Sequence, residues 1–144
     1  MRVSGILSEK GSEVATVRSD RTLADAADEL RRRRIGALVV TDDGETIEGI
    51  LSERDVVQAV ALFGPGVLSR PVTTAMTAEV WTCGPEDSTE ELARAMTFHR
   101  TRHLPVVSAG RLVGIVSIGD IVKSRLTELE REREQLTNYI TTGR

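Results

Sequence analysis

The chain has 144 residues, enough for one compact domain, and its 40% hydrophobic and 28% charged residues are typical of a soluble globular protein. The formal net charge of −3 argues against broad nucleic-acid binding but allows one local basic pocket for a phosphate. No stretch approaches the ~20 apolar residues of a membrane span, no signal pattern opens the chain and Cys83 has no disulfide partner, which together predict a cytoplasmic protein.

The first half predicts a β-α-β-β-α unit. Val14 to Val17 is rich in β-branched residues, which favours a strand. Thr22 precedes a helix-forming stretch with acidic residues in its first turn, as expected of an N-cap. Asp43-Gly44 is a strong signal for a two-residue hairpin turn. In chain order we predict a strand at 14–17, a helix at 23–33, strands at 37–40 and 46–52, and a helix after 55.

The segment LFGPGVLSRP at 62–71 separates the halves. Gly64, Pro65 and Gly66 end the preceding helix, and Pro71 opens the next segment. We favour an ordinary connector over a loop that touches a membrane.

The second half predicts the same unit again. Val80 to Cys83 is a strand candidate, and Ser88 is the N-cap of a helix at about 89–100. HLPVV at 103–107 and RLVGIVS at 111–117 are the next strands, joined by a looser turn signal at 108–110. A second helix follows Asp120.

The two halves are an internal repeat. The segments that start at Glu13 and Glu79 align without a gap at an offset of 66 residues. One residue is then lost in a turn, and GILSERD at 49–55 meets GIVSIGD at 114–120 at an offset of 65. The lead-ins VSGILS at 3–8 and VTTAMT at 72–77 also match loosely.

The last helix is predicted to continue to about Ile140. Leu126, Leu129 and Leu136 lie close to a helical stripe, although 132–133 is charged. Such a helix is marginal alone, so two interpretations are open. The stripe packs on a second copy of the chain, which we favour, or the extension folds back on its own domain.

The doubled Ser-x-x-Asp motif also has two interpretations. In the structural one, Ser52 with Asp55, and Ser117 with Asp120, resemble capping boxes at helix starts, with Asp in place of the usual Glu. In the functional one, the helix N-terminus and the Ser hydroxyl suit a phosphate, and the carboxylate suits two adjacent sugar hydroxyls. Because the motif occurs twice, each time directly after a Gly-containing strand, the functional interpretation gains weight. Phosphate, ribose and an apolar slot for a base describe a nucleotide.

With RHLPVV at 102–107, these motifs make residues 3–124 resemble a tandem pair of cystathionine-β-synthase (CBS) domains, also called a Bateman module. The resemblance implies an α/β fold in which two β-α-β-β-α repeats pack sheet to sheet with approximate two-fold symmetry, followed by a C-terminal helical extension. It implies a first CBS repeat at 1–62, a linker at 63–71, a second repeat at 72–124 and the extension at 125–144. It also implies two clefts that bind adenosine-containing ligands such as AMP, ADP, ATP, NAD(H) or S-adenosylmethionine.

Under this resemblance the two Asp residues hold ribose hydroxyls, the two Ser residues contact phosphate or ribose, and residues 37–38 and 103–104 form the adenine slot. The candidate ligand-binding residues are Thr16, Ala37, Leu38, Ser52, Arg54, Asp55, Thr82, Arg102, His103, Leu104, Pro105, Ser117, Ile118 and Asp120.

The two copies carry their basic groups at different places. Arg54 lies beside the Asp of the first copy, where the second copy has Gly119, whereas Arg102 and His103 precede the strand of the second copy only. We therefore expect one cleft to bind phosphate better than the other, and the sequence does not decide which.

The other conspicuous residues have ordinary interpretations that we favour. The RRRR run at 31–34 complements a helix C-terminus rather than contacting phosphate or an acidic partner. Trp81 packs rather than stacking on a base, and Cys83 is a small strand residue rather than a redox sensor. His99 and His103 are too few for a metal site, and His103 is either a cleft residue or an ordinary rim histidine.

No set of catalytic residues is present, so we expect no enzyme activity and no required cofactor. We predict a regulatory or sensor module, homodimeric, that binds an adenine nucleotide and modulates a regulated protein that the sequence does not identify. Membrane and nucleic acid are not expected partners. The alternative is a ligand-free CBS-pair protein that serves dimerisation or interaction alone.

Overall fold

The structure, a computed structural model, describes residues 1–142. The helices are α1 (Val3–Lys10), α2 (Leu23–Arg33), α3 (Glu53–Phe63), α4 (Thr89–His99) and α5 (Ile118–Thr142). The strands are β1 (Thr16–Val17), β2 (Ala37–Val40), β3 (Gly49–Ser52), β4 (His103–Ser108) and β5 (Arg111–Ser117). Two 3-10 turns, Pro65–Ser69 and Val72–Thr74, lie between the repeats. The predicted α/β architecture of two repeats and a C-terminal helix is confirmed.

The predicted N-caps form as expected. The Thr22 hydroxyl accepts a hydrogen bond from the Asp25 N–H, and the Ser88 hydroxyl accepts one from the Glu91 N–H, both at 3.1 Å. Helix α2 has the predicted bounds. Helix α4 ends one residue earlier than predicted, because Arg100 adopts the left-handed conformation (φ 54°) that ends a helix.

The strands of each repeat form a small sheet around a hairpin. In the first repeat β1 runs parallel to β2, and β2 pairs antiparallel with β3 so that Ala37 faces Ser52. In the second repeat β4 pairs antiparallel with β5, and His103 faces Ser117. The strand predicted at 80–83 is wrong, since only Cys83 forms a bridge to a neighbouring strand. The chain then leaves the sheet at Pro85, which has no N–H to donate.

The two hairpin turns are the reverse of the prediction. Ala109 and Gly110, both at positive φ (52° and 76°), form the two-residue turn between β4 and β5. Asp43 instead organises a longer loop from 41 to 48. Its carboxylate accepts the N–H groups of Glu45 (2.8 Å) and Thr46 (2.7 Å), so its side chain replaces the tight backbone turn.

Each lead-in packs on the core of the other repeat. Val3 and Ile6 of α1 are buried in the core that contains Leu104 of the second repeat. Conversely, Val72 is buried in the core that contains Leu38 of the first repeat. The exchange joins the repeats through two separate apolar cores.

Two glycines at equivalent positions permit this exchange. A Cβ on Gly49 would lie 2.6 Å from the Met76 sulfur and 2.9 Å from the Thr77 carbonyl oxygen, and one on Gly114 would lie 2.7 Å from a methyl carbon of Leu7. Each glycine therefore admits the lead-in of the opposite repeat against its strand. The equivalence of the two contacts reflects the approximate two-fold symmetry of the pair.

Helix α5 leaves the domain as an exposed extension. The N-terminal amine bonds Glu128 at 2.7 Å, and from residue 131 to residue 141 every side chain is exposed. The extension does not fold back on its own domain, contrary to the second interpretation above. None of the helices within residues 1–142 combines the length and apolarity of a membrane span.

Candidate functional site

Both Ser-x-x-Asp motifs form capping boxes where a strand meets a helix. The Ser52 N–H donates to Asp55 Oδ2 at 2.8 Å, and the Asp55 N–H donates to the Ser52 hydroxyl at 3.2 Å. Ser117 and Asp120 make the same pair of bonds at 2.9 and 3.1 Å. The structural interpretation is therefore confirmed. It does not exclude the functional one, because the cap uses only Oδ2 of each carboxylate and a carboxylate has about four acceptor sites.

The Asp55 carboxylate lies in a cleft of about 390 Å³ between the repeats, here called the Asp55 cleft. One wall comes from the first repeat and the other from the second. The lining residues are Gly36, Ala37, Ile50, Ser52, Glu53, Arg54, Asp55, Thr77, Glu79, Val80, Trp81, His99, Arg100, Thr101, Arg102 and His103.

The Asp120 carboxylate lies in an equivalent cleft of about 640 Å³, here called the Asp120 cleft. Its lining residues are Lys10, Glu13, Ala15, Arg33, Arg34, Ile35, Gly36, Ala37, His103, Ile115, Ser117 and Asp120. At the repeat offset most of them match the lining of the Asp55 cleft, with Ala15 in the place of Trp81 and Arg34 in the place of Arg100. Cavities of these sizes accommodate small-molecule ligands.

The basic groups of the two copies meet in the Asp55 cleft. Arg54 comes from the first repeat, and Arg100 and Arg102 come from the second. These three guanidinium groups are exposed and form no ion pair within residues 1–142. They are available to an anionic ligand such as a phosphate.

Trp81 is only partly buried. Its side chain is 55% exposed, lines the Asp55 cleft and stacks on His99, with ring centroids 3.6 Å apart. Trp81 therefore packs on another side chain, as predicted, but it does so in the lining of the cleft.

The Asp120 carboxylate has a cationic partner, and the Asp55 carboxylate has none. Lys10 Nζ lies 2.7 Å from Asp120 Oδ2 and donates a second hydrogen bond of 2.8 Å to the Ile115 carbonyl oxygen. Burial raises the pKa of Asp120, but the hydrogen bonds from Lys10 and the Ser117 N–H outweigh it, so this pKa lies below its ordinary value. Sequence reasoning missed Lys10, which contacts residues more than 100 positions away.

His103 and Gly36 form the wall that the two clefts share. Both residues line both clefts, and a Cβ on Gly36 would lie 3.1 Å from a ring carbon of His103. Burial is the main cause that lowers the pKa of His103 below its ordinary value. His103 is a cleft-wall residue, as one of the two predictions had it, and Ala37 lines both clefts with it.

Several predicted contact residues lie outside both clefts. Ala15 and Trp81 line the clefts, whereas their neighbours Thr16 and Thr82 do not and are exposed. The others are buried in the protein or lie at the start of α5. They are Leu38, Leu104, Pro105 and Ile118. These six side chains line neither cleft, and their contact with a ligand stays a prediction.

The remaining conspicuous residues have mostly structural roles. The arginines of α2 pair with Asp28 and Glu29 on the same helix, although Arg33 and Arg34 also line the Asp120 cleft. Cys83 is buried, and burial raises the pKa of its thiol to about 12. No group of three or more His, Cys, Asp or Glu in the described part of the chain could hold a metal ion.

Comparisons with known proteins agree with this architecture. The family model for the CBS domain matches twice, at residues 2–62 and 72–127. The chain is 30% identical over 136 residues to a CBS domain-containing protein of Bacillus subtilis, YhcV, a match covering 94% of this chain and 95% of the relative. It is 35% identical to a mitochondrial CBS domain-containing protein of Arabidopsis thaliana, covering 87% of this chain and 63% of that longer protein.

Solved structures give the same result. A CBS-domain containing protein of Agrobacterium tumefaciens is 45% identical with a TM-score of 0.84, covering 87% of this chain and 99% of that one. A CBS domain protein of Pyrobaculum aerophilum complexed with AMP is 29% identical with a TM-score of 0.73, covering 83% and 89%. The CBS domain pair of MJ0100, in complex with 5′-methylthioadenosine and S-adenosylmethionine, is 27% identical with a TM-score of 0.77, covering 90% and 98%. The chain belongs to the CBS-domain family and contains a tandem pair of CBS repeats.

Proposed function

We propose that this chain is a regulatory module that binds an adenosine-containing nucleotide between its two CBS repeats and signals its occupancy to a partner protein. The observation that carries the proposal is the placement of Asp55 and Asp120, each one turn into a helix and each in a cleft between the repeats. We propose binding and not catalysis, because neither Ser of the motifs has a base to activate it: each hydroxyl accepts a backbone N–H.

The Asp55 cleft is our first choice for the nucleotide. Oδ1 of Asp55 accepts no hydrogen bond within the described chain and can take a ribose hydroxyl. Arg54, Arg100 and Arg102 can neutralise phosphate groups. Trp81 adds an aromatic surface beside them. The Asp120 cleft has fewer unpaired cations and no aromatic ring of this size.

The relatives support the ligand class. Two proteins of similar fold have been solved with AMP in one case and with 5′-methylthioadenosine and S-adenosylmethionine in the other. These ligands share adenine and a ribose with adjacent hydroxyl groups. We therefore expect AMP, ATP, NAD(H) or S-adenosylmethionine to bind, and the identity of the preferred ligand is a matter for titration.

Calorimetric titration with these four ligands tests the proposal. At least one should bind, and Asp55→Ala should weaken binding by roughly 10-fold to 100-fold through the loss of a charged hydrogen-bond acceptor. The matched control is Asp25→Ala. Asp25 forms the same capping box with Thr22, so its loss has a comparable effect on stability, but it lies outside both clefts. Binding that is equally weakened by both variants, or absent altogether, contradicts the proposal.

We propose a second copy of the chain as the partner of α5. Its exposed apolar residues follow the alternating four- and three-residue spacing of a helix–helix seam, interrupted once by Arg133. They are Val122, Leu126, Leu129, Leu136 and Ile140. We propose a homodimer that places α5 against its copy. This surface also favours the second candidate function, a ligand-free CBS-pair protein that serves dimerisation or interaction. For either function we propose a reducing cytoplasm as the location.

A further inference from the structure

Lys10 forms an ion pair with Asp120 in the lining of the Asp120 cleft. Its ammonium group bridges the Asp120 carboxylate at 2.7 Å and the Ile115 carbonyl oxygen at 2.8 Å. Both charged side chains are largely covered, with 32% of the lysine and 23% of the aspartate exposed. Lys10 is the last residue of α1, whose apolar side packs on the second repeat, so the backbone of Lys10 is held within reach of Asp120.

The ion pair with Lys10 occupies a lone pair of Asp120 Oδ2 that a ribose hydroxyl needs. Asp120 Oδ2 already accepts from the Ser117 N–H and from Lys10, whereas Asp55 Oδ2 accepts from the Ser52 N–H alone. Two adjacent sugar hydroxyls that grip both oxygens of a carboxylate need a free lone pair on each. Asp55 offers that arrangement as it stands. Asp120 offers it only after Lys10 has moved away.

The first repeat alone carries this lysine. Ser8 matches Thr77 in the lead-ins and Glu13 matches Glu79, yet Glu13 follows Ser8 by five positions and Glu79 follows Thr77 by two. Lys10 lies among residues 9–12, and the second repeat has only Ala78 between the matched positions. The side chains that line the Asp55 cleft from the corresponding segment are Thr77 and Glu79, and neither is a cation.

We infer that Lys10 is a latch that makes the Asp120 cleft the weaker of two unequal nucleoside sites. The inference rests on the proposed function, because it concerns the same ribose-binding carboxylates. A nucleoside enters the Asp120 cleft by displacing the ammonium group from Asp120, and the broken ion pair reduces its affinity. Binding in the Asp55 cleft breaks no ion pair, so a nucleoside occupies the Asp55 cleft at a lower concentration than the Asp120 cleft.

The latch is tested with 5′-methylthioadenosine, which offers ribose hydroxyls without a phosphate that could attract the displaced lysine. The background variant is Asp55→Ala, so that the Asp120 cleft is read alone by NMR titration. In that background Lys10→Met should bind the probe about five-fold to ten-fold more tightly, the effect of losing about 1 to 1.4 kcal/mol of competing ion pair. Lys10→Gln should do the same.

Lys123→Met is the matched control. Lys123 is the other lysine of the chain, lies three residues after Asp120 and makes no ion pair with it. Its loss should change the affinity of the probe less than two-fold. If Lys10→Met and Lys123→Met bind the probe equally, or neither binds it, the latch is refuted. If AMP fails to bind the Asp55 cleft of the unmodified chain while Lys10→Met still strengthens binding of the probe, the choice of cleft in the proposed function and the ranking of the two clefts both fail, and only the competition between Lys10 and the nucleoside for Asp120 stands.

Discussion

The indole of Trp81 lies flat against the imidazole of His99, with ring centroids 3.6 Å apart and planes inclined by 15°. The two residues come from different elements of the second repeat and meet at the Asp55 cleft. The Asp120 cleft has Ala15 and Arg33 at the corresponding positions. Because Trp81 is the only tryptophan of the chain, the stack provides an optical signal from one cleft and not from the other.

Tryptophan fluorescence should therefore report occupancy of the Asp55 cleft. We expect AMP to change the Trp81 emission in a saturable way, because a ligand beside the indole alters its contact with His99 and with solvent. Asp55→Ala should shift the midpoint of the titration to roughly 10-fold or more higher AMP, and Asp120→Ala should leave it in place. A midpoint that follows Asp120 instead would assign the ligand to the other cleft.

The close contact at Gly49 should make alanine costly there. A methyl group on Gly49 meets the Thr77 carbonyl oxygen at 2.9 Å, and this backbone atom cannot move without disturbing the exchanged lead-in. We expect Gly49→Ala to lower the free energy of unfolding by about 1 to 3 kcal/mol in urea denaturation. Gly66→Ala, where a methyl group meets nothing within 4 Å, is the control and should change it by less than about 1 kcal/mol. Equal effects of the two variants would argue against the exchange.

Local patterns in the sequence predicted the features that depend on neighbouring residues. The capping boxes of Ser52 and Ser117 involve residues three positions apart, so the motif predicts their geometry directly. The predicted two-residue turn at Asp43 is wrong, and the reason is local too. The Asp43 side chain competes for the backbone N–H groups of the turn, and a dipeptide signal does not record that competition.

Contacts between distant residues could not be predicted in this way. Lys10 reaches Asp120 only because α1 packs on the second repeat, and no periodicity within α1 indicates which core covers it. The cleft position of Trp81 likewise depends on how the repeats face each other. The resemblance to CBS pairs supplied the clefts, and the unequal basic groups of the two copies predicted that the clefts differ. The ion pair between Lys10 and Asp120 came from the structure.

His103, which lines both clefts, should make the free energy of unfolding depend on pH. Burial lowers the pKa of His103 in the folded chain below its ordinary value of 6.5, so the unfolded chain takes up a proton first as the pH falls. The free energy of unfolding should therefore decrease as the pH falls below about 6.5, and His103→Gln should reduce that decrease between about pH 7.5 and pH 5.5. His99→Gln retains His103 and is the control. A pH dependence that is identical in the original chain and in His103→Gln would contradict this.

Cys83 should be unreactive in the folded protein. Burial, assisted by the charge of Asp87, raises the pKa of its thiol to about 12, and the thiolate is the reactive form. At about pH 8 we expect iodoacetamide to label the native chain at least about 100-fold more slowly than the chain unfolded in urea. Rapid labelling of the native chain would revive the interpretation of Cys83 as a redox sensor.

The exposed apolar stripe of α5, which includes Leu126, Leu129 and Leu136, should control the association of two copies of the chain. We expect the chain to sediment as a dimer, and Leu129→Glu combined with Leu136→Glu to yield a monomer, because two carboxylates would replace apolar contacts within the interface. Arg131→Ala changes the opposite side of α5 and should leave the dimer intact. An unchanged sedimentation coefficient in the double variant would place the interface elsewhere or exclude a dimer.

A crystal structure of the chain grown with AMP tests the central claim most directly. We predict AMP in the Asp55 cleft, with its ribose hydroxyls within about 3.2 Å of the Asp55 carboxylate and its phosphate facing Arg54, Arg100 or Arg102. Asp120 should still bond Lys10 in that crystal. Density for AMP away from both clefts, with the Asp55 carboxylate left facing water, would contradict the claim.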